Sequence, residues 1–300
     1  MNFAERFIHT MTHSMVMSTT YFAVCYYILA GLLGVVIGSF LNVVIYRLPE
    51  KMNLSFPPSH CPKCNYKLKW YDNIPILSYI MLGGKCRNCK THISFRYTIV
   101  EAANMILWLA CAFLIFGTSF LGDATTTERA TAVMHFPYSI ICMIACSVFI
   151  CIAFIDLDHT YIPDRFQIIL GVLGVAAIIF NLLGFDDGIT WQERLIGAGG
   201  SLVLFVIIYF AGMLAYKREA MGIGDIKLVT VGGLLLGWKN MIIAVLIGAV
   251  VGAVTMLILR KVRNDEKEHE YPLGPFLVLG MIVAMFFGEQ IVNVYLSLMV

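Results

Sequence analysis

Two acidic stretches hold the residues best able to do chemistry. "FIDLDHTYIPD", residues 154–164, places Asp156, Asp158 and Asp164 directly after the uncharged run "YSIICMIACSVFICIAF". "GIGD", residues 222–225, ends in Asp225. Charge beside an apolar segment is costly, and an acid held there is a functional candidate by default. Two carboxylates in one partly desolvated site resist joint ionisation, so one keeps a proton at neutral pH. Such a pair can hydrolyse a peptide without a covalent intermediate. One carboxylate takes a proton from water, and the other protonates the carbonyl oxygen. Gly222 and Gly224 would let the backbone around Asp225 approach a substrate closely. A purely structural reading competes with this one. It makes Asp156, Asp158 and Asp164 interface or N-cap carboxylates, and Asp225 the N-cap of "IKLVTV".

A second constellation lies upstream. "CPKC" (61–64) and "CRNC" (86–89) form two CxxC knuckles with 21 residues between them. Four thiolates at this spacing predict a zinc-ribbon site, since Zn²⁺ takes four sulfur ligands in a tetrahedron. A closed set of Cys61, Cys64, Cys86 and Cys89 has no open coordination position, so the expected Zn²⁺ is structural rather than catalytic. It would hold a loop of about 50 residues too small for much core of its own. His60 and His92 flank the knuckles and could substitute as ligands, although four cysteines suffice. The other five cysteines, Cys25, Cys111, Cys142, Cys146 and Cys151, lie in apolar runs and read as small hydrophobes. His9 and His13 stand at helical spacing near the N-terminus; without further ligands nearby the expectation is a surface pair.

The elements that must position these groups are membrane helices. Of 300 residues 59% are hydrophobic and 13% charged, against about 45–50% and about 25% in soluble domains. The fold class is therefore an all-α membrane protein; a lipid membrane is an expected partner and nucleic acid is not. Runs long enough to span the hydrocarbon core fall at about 22–46, 97–117, 136–156, 166–184, 193–215, 226–238, 241–259 and 275–296, eight transmembrane helices in all. The sixth is short and Gly-rich. Segments 47–96, 156–165, 216–227 and 260–272 hold 17 of the 21 Lys and Arg. The positive-inside rule then puts those segments in the cytoplasm and both termini outside. The first helix reads as an uncleaved anchor. The cysteine knuckles fall in a cytoplasmic loop, 48–96, where thiols stay reduced and disulfides are disfavoured. Asp156 and Asp225 fall at one depth on that same side. Gly34/Gly38, Gly233/Gly237 and Gly248/Gly252 have GxxxG spacing and predict close helix packing. The charged run 260–270 reads as a solvated connector.

With these residues in place, "FIDLDHTYIPD" and "GIGDIK" together resemble the bacterial type IV prepilin peptidases, membrane aspartic proteases with a GxGD motif. "GSFLNVVIYRLP" (38–49), "WYDNIPILSYIMLGGKCRNC", "ISFRYTIVE" and "YPLGPFL" (271–277) extend the resemblance over about residues 30 to 290. It implies Asp156 and Asp225 as the catalytic pair. Asp158 falls at a variable position and stays outside it; Asp164, Lys227, Gly222 and Gly224 are supporting. It also implies the reaction: removal of the short basic leader from prepilins and pseudopilins at the cytoplasmic face of the bacterial inner membrane, serving type IV pili or type II secretion. Methylation of the new N-terminal amine with S-adenosylmethionine as donor follows from the resemblance, since no GxGxxG marks a dinucleotide fold. Glu101, about five residues into the second span, is the candidate for the methyl-donor or amine pocket. It could equally be a buried acid satisfied by Arg96 or a backbone group. The expected organisation is an extracytoplasmic segment 1–21, a methyltransferase part 22–117 containing the zinc loop, and a six-helix peptidase part 136–296. A peptidase without methylation remains an alternative. A transporter would place its acids near the bilayer midplane, and a structural assembly subunit would tolerate loss of both aspartates.

Overall fold

The computed structural model describes the backbone of residues 3–117, 126–185, 187–216, 221–263 and 272–299, and side chains from Tyr21 onward within those ranges except 126–133, 216, 263 and 299. His9, His13 and the segment 1–20 lie outside the described side chains, as does the run 264–270. Eight α-helices follow in chain order: α1 Phe3–Arg47, α2 Leu77–Met81, α3 Arg96–Ala110, α4 Thr126–His159, α5 Asp164–Leu182, α6 Trp191–Tyr216, α7 Ile223–Arg263 and α8 Gly274–Met299. A π-helical turn, Cys111–Phe116, continues α3. Among the described residues seven helices are long and apolar enough to cross a membrane, and α2 is too short. The described residues contain no extended strand, only two isolated bridges, His60 with Lys67 and Lys85 with His92.

The sixth and seventh expected spans are the two arms of α7. Gly237 breaks the helix with a φ of +75°, a left-handed conformation that glycine adopts without steric cost. The chain reverses there. Met281 of α8 lies against Gly232 on the first arm and close to Met241 on the second. From Phe276 to Gly288, α8 runs beside the second arm from Gly252 back to Asn240, while α5 runs parallel to the first arm, Gly174 meeting Leu234. Ile162 touches both Gly224 and Gly274, so the first arm and α8 begin at one end of the bundle. At about 1.5 Å per residue the first arm is about 20 Å long, short of the roughly 30 Å hydrocarbon core. The break frees carbonyls of the preceding turn. Fully buried Arg194 of α6 donates to Leu235 O and pairs with Asp187.

Close packing accounts for all three glycine pairs. A Cβ on Gly34 would lie 3.0 Å from Met105 Cα, and one on Gly38 would lie 2.8 Å from Glu101 Cα, so α1 presents both glycines to α3. Gly248 and Gly252 face Phe276 in the same way, and Gly233 faces Gly197. Gly237 is both packing face and hairpin turn: a Cβ on Gly197 would lie 2.7 Å from Gly237 C, and one on Gly237 would lie 2.8 Å from Ile189 Cγ2.

The chain divides into two compact units, residues 1–42 with 57–143, and 43–56 with 144–300. In the first, Tyr26, Tyr27, Phe113, Phe116 and Phe136 form an aromatic cluster, Tyr27 stacking on Phe113 at 4.5 Å. In the second, Arg47 donates to the carbonyls of Asn53 (3.0 Å) and Leu54 (3.3 Å), closing the turn after α1.

Candidate active site

Asp156 lies in the last turn of α4 and is buried. Its Oδ2 accepts a hydrogen bond from Gly274 N–H at 3.0 Å. Gly274 is the first residue of α8, and the leading N–H groups of a helix have no partner within it. The carboxylate satisfies one of them and meets the positive end of the helix dipole. A Cβ on Gly274 would lie 2.5 Å from that oxygen, so only glycine allows this approach. "YPLGPFL" extended the resemblance but assigned Gly274 no role; Pro275, just inside the helix, suits its first turn.

Asp225 lies in the first turn of α7, partly buried. It is within electrostatic reach of Asp156. Gly222 O accepts from Asp225 N–H at 3.1 Å, and a Cβ on Gly222 would lie 3.4 Å from Asp225 Oδ2. Gly224 O accepts from Gln167 Nε2 of α5 at 3.0 Å. Ile162 fills the space between Gly224 and Gly274. The last turn of α4 and the first turns of α7 and α8 thus bring the two acids together, with α5 bracing the GxGD turn. Gln167 had no signal in the sequence.

The supporting residues sort differently. Asp164 and Lys227 pair with each other, Nζ to Oδ1 at 2.7 Å, and both are well exposed. The pair ties the first turn of α5 to that of α7 and adds little stability, as exposed pairs do. Asp158 is exposed at the end of α4. Glu101 belongs to the other unit and is buried. Its Oε2 accepts from Ile76 N–H at 2.7 Å, and the Ser39 hydroxyl is also in reach. A backbone group therefore partners this acid.

The four cysteine sulfurs of the loop all lie within 4.8 Å of one another. Cys61 and Cys89 are 3.7 Å apart, and Cys64 and Cys86 3.9 Å. A Zn–S bond of about 2.3 Å implies tetrahedral edges of roughly 3.8 Å, so the set fits Zn²⁺. The two knuckles are built alike. Cys61 N–H bonds Tyr66 O and Cys86 N–H bonds Thr91 O, while Asn65 and Lys90, each following a second cysteine, have φ of +54° and +57°. Hydrogen bonding with Thr91 pulls the Cys89 thiol down to about 6, which favours the thiolate a metal needs. Arg87, inside the second knuckle, meets buried Asp72 at 2.6 Å. Burial opposes ionisation of Asp72, but hydrogen bonds from Arg87 and the Lys69 N–H outweigh it and hold the carboxyl below its usual range.

Residues 143–257 match the type IV leader peptidase family, and residues 32–115 match the bacterial peptidase A24 N-terminal domain. The chain is similar to proteins named prepilin leader peptidase/N-methyltransferase. The one from Pseudomonas aeruginosa is 31% identical over 89% of this chain and 92% of its own. That from Aeromonas salmonicida is 32% identical over 91% and 94%, and that from Legionella pneumophila 31% over 90% and 94%. No solved structure matches the chain.

Proposed function

The chain belongs to the type IV leader peptidase family, and from that premise we propose that Asp156 and Asp225 are the residues that cut. The protein is a membrane-embedded leader peptidase and N-methyltransferase that trims prepilins and methylates the new N-terminus. The observation supporting the dyad is the meeting of two helix-end carboxylates, one buried and one partly buried, in a single glycine-lined site. One carboxylate draws a proton from the attacking water; the other delivers a proton to the peptide carbonyl oxygen, and the roles reverse as the amine leaves. Asp164 and Lys227 hold the rim. The test is cleavage of a prepilin by purified variants, read by mass spectrometry of the pilin N-terminus.

Gly274 positions the dyad. We predict that Gly274→Ala lowers cleavage about 10²-fold, because its Cβ displaces the Asp156 carboxylate and misplacement by about an ångström is felt on that scale. Binding of a leader peptide should change much less. Wild-type turnover by this variant would show that Asp156 does not depend on the α8 N-terminus.

The four cysteines would hold one Zn²⁺ and supply a structural anchor for the loop. S-adenosylmethionine is the proposed methyl-donating substrate, and pseudopilins share the cleavage site with prepilins. The Lys and Arg asymmetry supports a loop on the cytoplasmic side of a bacterial inner membrane, with both termini on the other. The methyltransferase part is residues 22–117 and the peptidase part 136–296. Glu101 serves the former. A carboxylate suits either cation of that reaction, the sulfonium of the donor or the protonated amine of the acceptor. Glu101→Gln keeps an acceptor for Ile76 N–H, so packing should survive. The expected product is a correctly trimmed pilin whose amine stays unmethylated. Full methylation would reduce Glu101 to a buried structural acid, and loss of cleavage would mean that the two parts do not divide the work this way.

A further inference from the structure

Helix α2 is five residues long, yet it leaves an apolar face uncovered. Leu77, Ile80 and Met81 are 58%, 66% and 82% exposed. Their i, i+3, i+4 spacing puts them on one side of the turn. The opposite side is anchored. Tyr79 donates to Ile93 O at 3.3 Å, packs on Phe95 with ring centroids 5.7 Å apart, and closes over Gly84. The rotation of α2 is thereby set, with the three apolar side chains directed away from the loop.

Its depth is set too. Ile93 and Phe95 immediately precede α3, the second span, which begins at Arg96. Ile76, at the start of α2, gives its N–H to Glu101, about one turn inside that span. Side chains on a helix lean toward its N-terminus, so this bond lies near the mouth of the span. Asn42 of α1 donates to Tyr97 O at 3.0 Å, which brings the end of the first span to the same level. Ile76 also holds a φ of +61°, a costly conformation for a β-branched residue. Such a conformation persists only where surrounding contacts over-determine it; here they hold α2 at the level of the membrane boundary.

We propose that α2 is an interfacial helix, which seats Leu77, Ile80 and Met81 at the boundary of headgroups and acyl chains beside the second span and so ties the zinc loop to the lipid surface. The loop carries eight Lys and Arg between residues 48 and 96 against two acids, Glu50 and Asp72, and Asp72 is already paired with Arg87. An exposed apolar face with a surplus of positive charge fits an anionic lipid surface. The same charge repels a basic leader peptide, which argues against substrate as the occupant. The anionic character of this leaflet rests on the cytoplasmic placement of the loop proposed above.

The test places a benzophenone amino acid at Met81, and separately at Leu77 and at the exposed knuckle residue Lys63, in otherwise intact protein. The variants are reconstituted in nanodiscs of phosphatidylcholine mixed with phosphatidylglycerol and irradiated. Zinc content and leader cleavage select the variants that fold. Adducts of one phospholipid are expected at Met81 and Leu77, several-fold above Lys63, with phosphatidylglycerol enriched over its share. Lipid adducts in simple proportion to composition would overturn the selection for anionic lipid. Adducts to a second copy of the chain or to added pilin, or no excess over Lys63, would overturn the docking itself. Both nanodisc leaflets have the same composition, so neither lipid capture nor lipid preference depends on the orientation proposed above, and failure of that orientation would leave this result unchanged.

Discussion

Asp156→Asn and Asp225→Asn are each expected to abolish leader cleavage by purified protein, with a fall of about 10⁴-fold, the upper end for loss of a general acid–base group. Neither carboxylate alone can run both proton transfers, and Asn can neither take nor give a proton in the working range. The fold should survive. At position 156 an amide oxygen still accepts from Gly274 N–H, and at 225 Asn still suits the first turn of α7. Asp158→Asn should leave the rate nearly unchanged, since that side chain is exposed beyond the last buried turn. A reaction that needs one ionised and one protonated partner also has a rate that declines toward both acid and base, with limits that belong to the pair. Near wild-type cleavage by either dyad variant, in a preparation with full zinc content, would remove the dyad assignment.

Hydropathy made most of this architecture readable, because every backbone polar group in lipid must be satisfied within its own helix. The apolar runs fall within a few residues of the expected spans, α7 covering two of them, while α1 and α4 extend further toward the N-terminus, from Phe3 and Thr126. The join between the sixth and seventh was legible only as a short Gly-rich run. The turn at Gly237 is supported by Arg194 and Asp187, which arrive from α6 and the connector before it and carry no local mark. The acids and cysteines were legible because their chemistry demands particular residue types. What supports them was not. Gly274 matters through the oxygen it faces 118 residues away, and Gln167 through a carbonyl 57 residues away. Glu101 stood out as an acid within a span. Its partner is a backbone N–H in a preceding loop, and no residue type announces a backbone donor.

Replacing any one of Cys61, Cys64, Cys86 or Cys89 with Ser should unfold the loop. The two knuckles share one ion, so loss of a ligand from either removes the link between both. Structural zinc contributes about 10–16 kcal/mol in small peptide sites, far more than the Asp72–Arg87 pair can supply, because Arg87 remains 45% exposed. Tyr79 and Glu101 hold α2, but few other groups hold the two knuckles to each other, and Trp70 between them is 80% exposed. Metal analysis of the wild type should give about one zinc per chain, as a single tetrahedral Cys₄ site requires. Each Ser variant should fall well below that and become cleavable by added protease between residues 57 and 95. Chelation of the wild type should produce the same cleavage pattern. The five cysteines in apolar helices provide the control: Cys146→Ser, in α4, should keep its zinc. A Ser variant at Cys61 that kept a full equivalent would mean that the ion, if present, lies elsewhere. A loop equally protected with and without metal would leave the tetrad without its structural role.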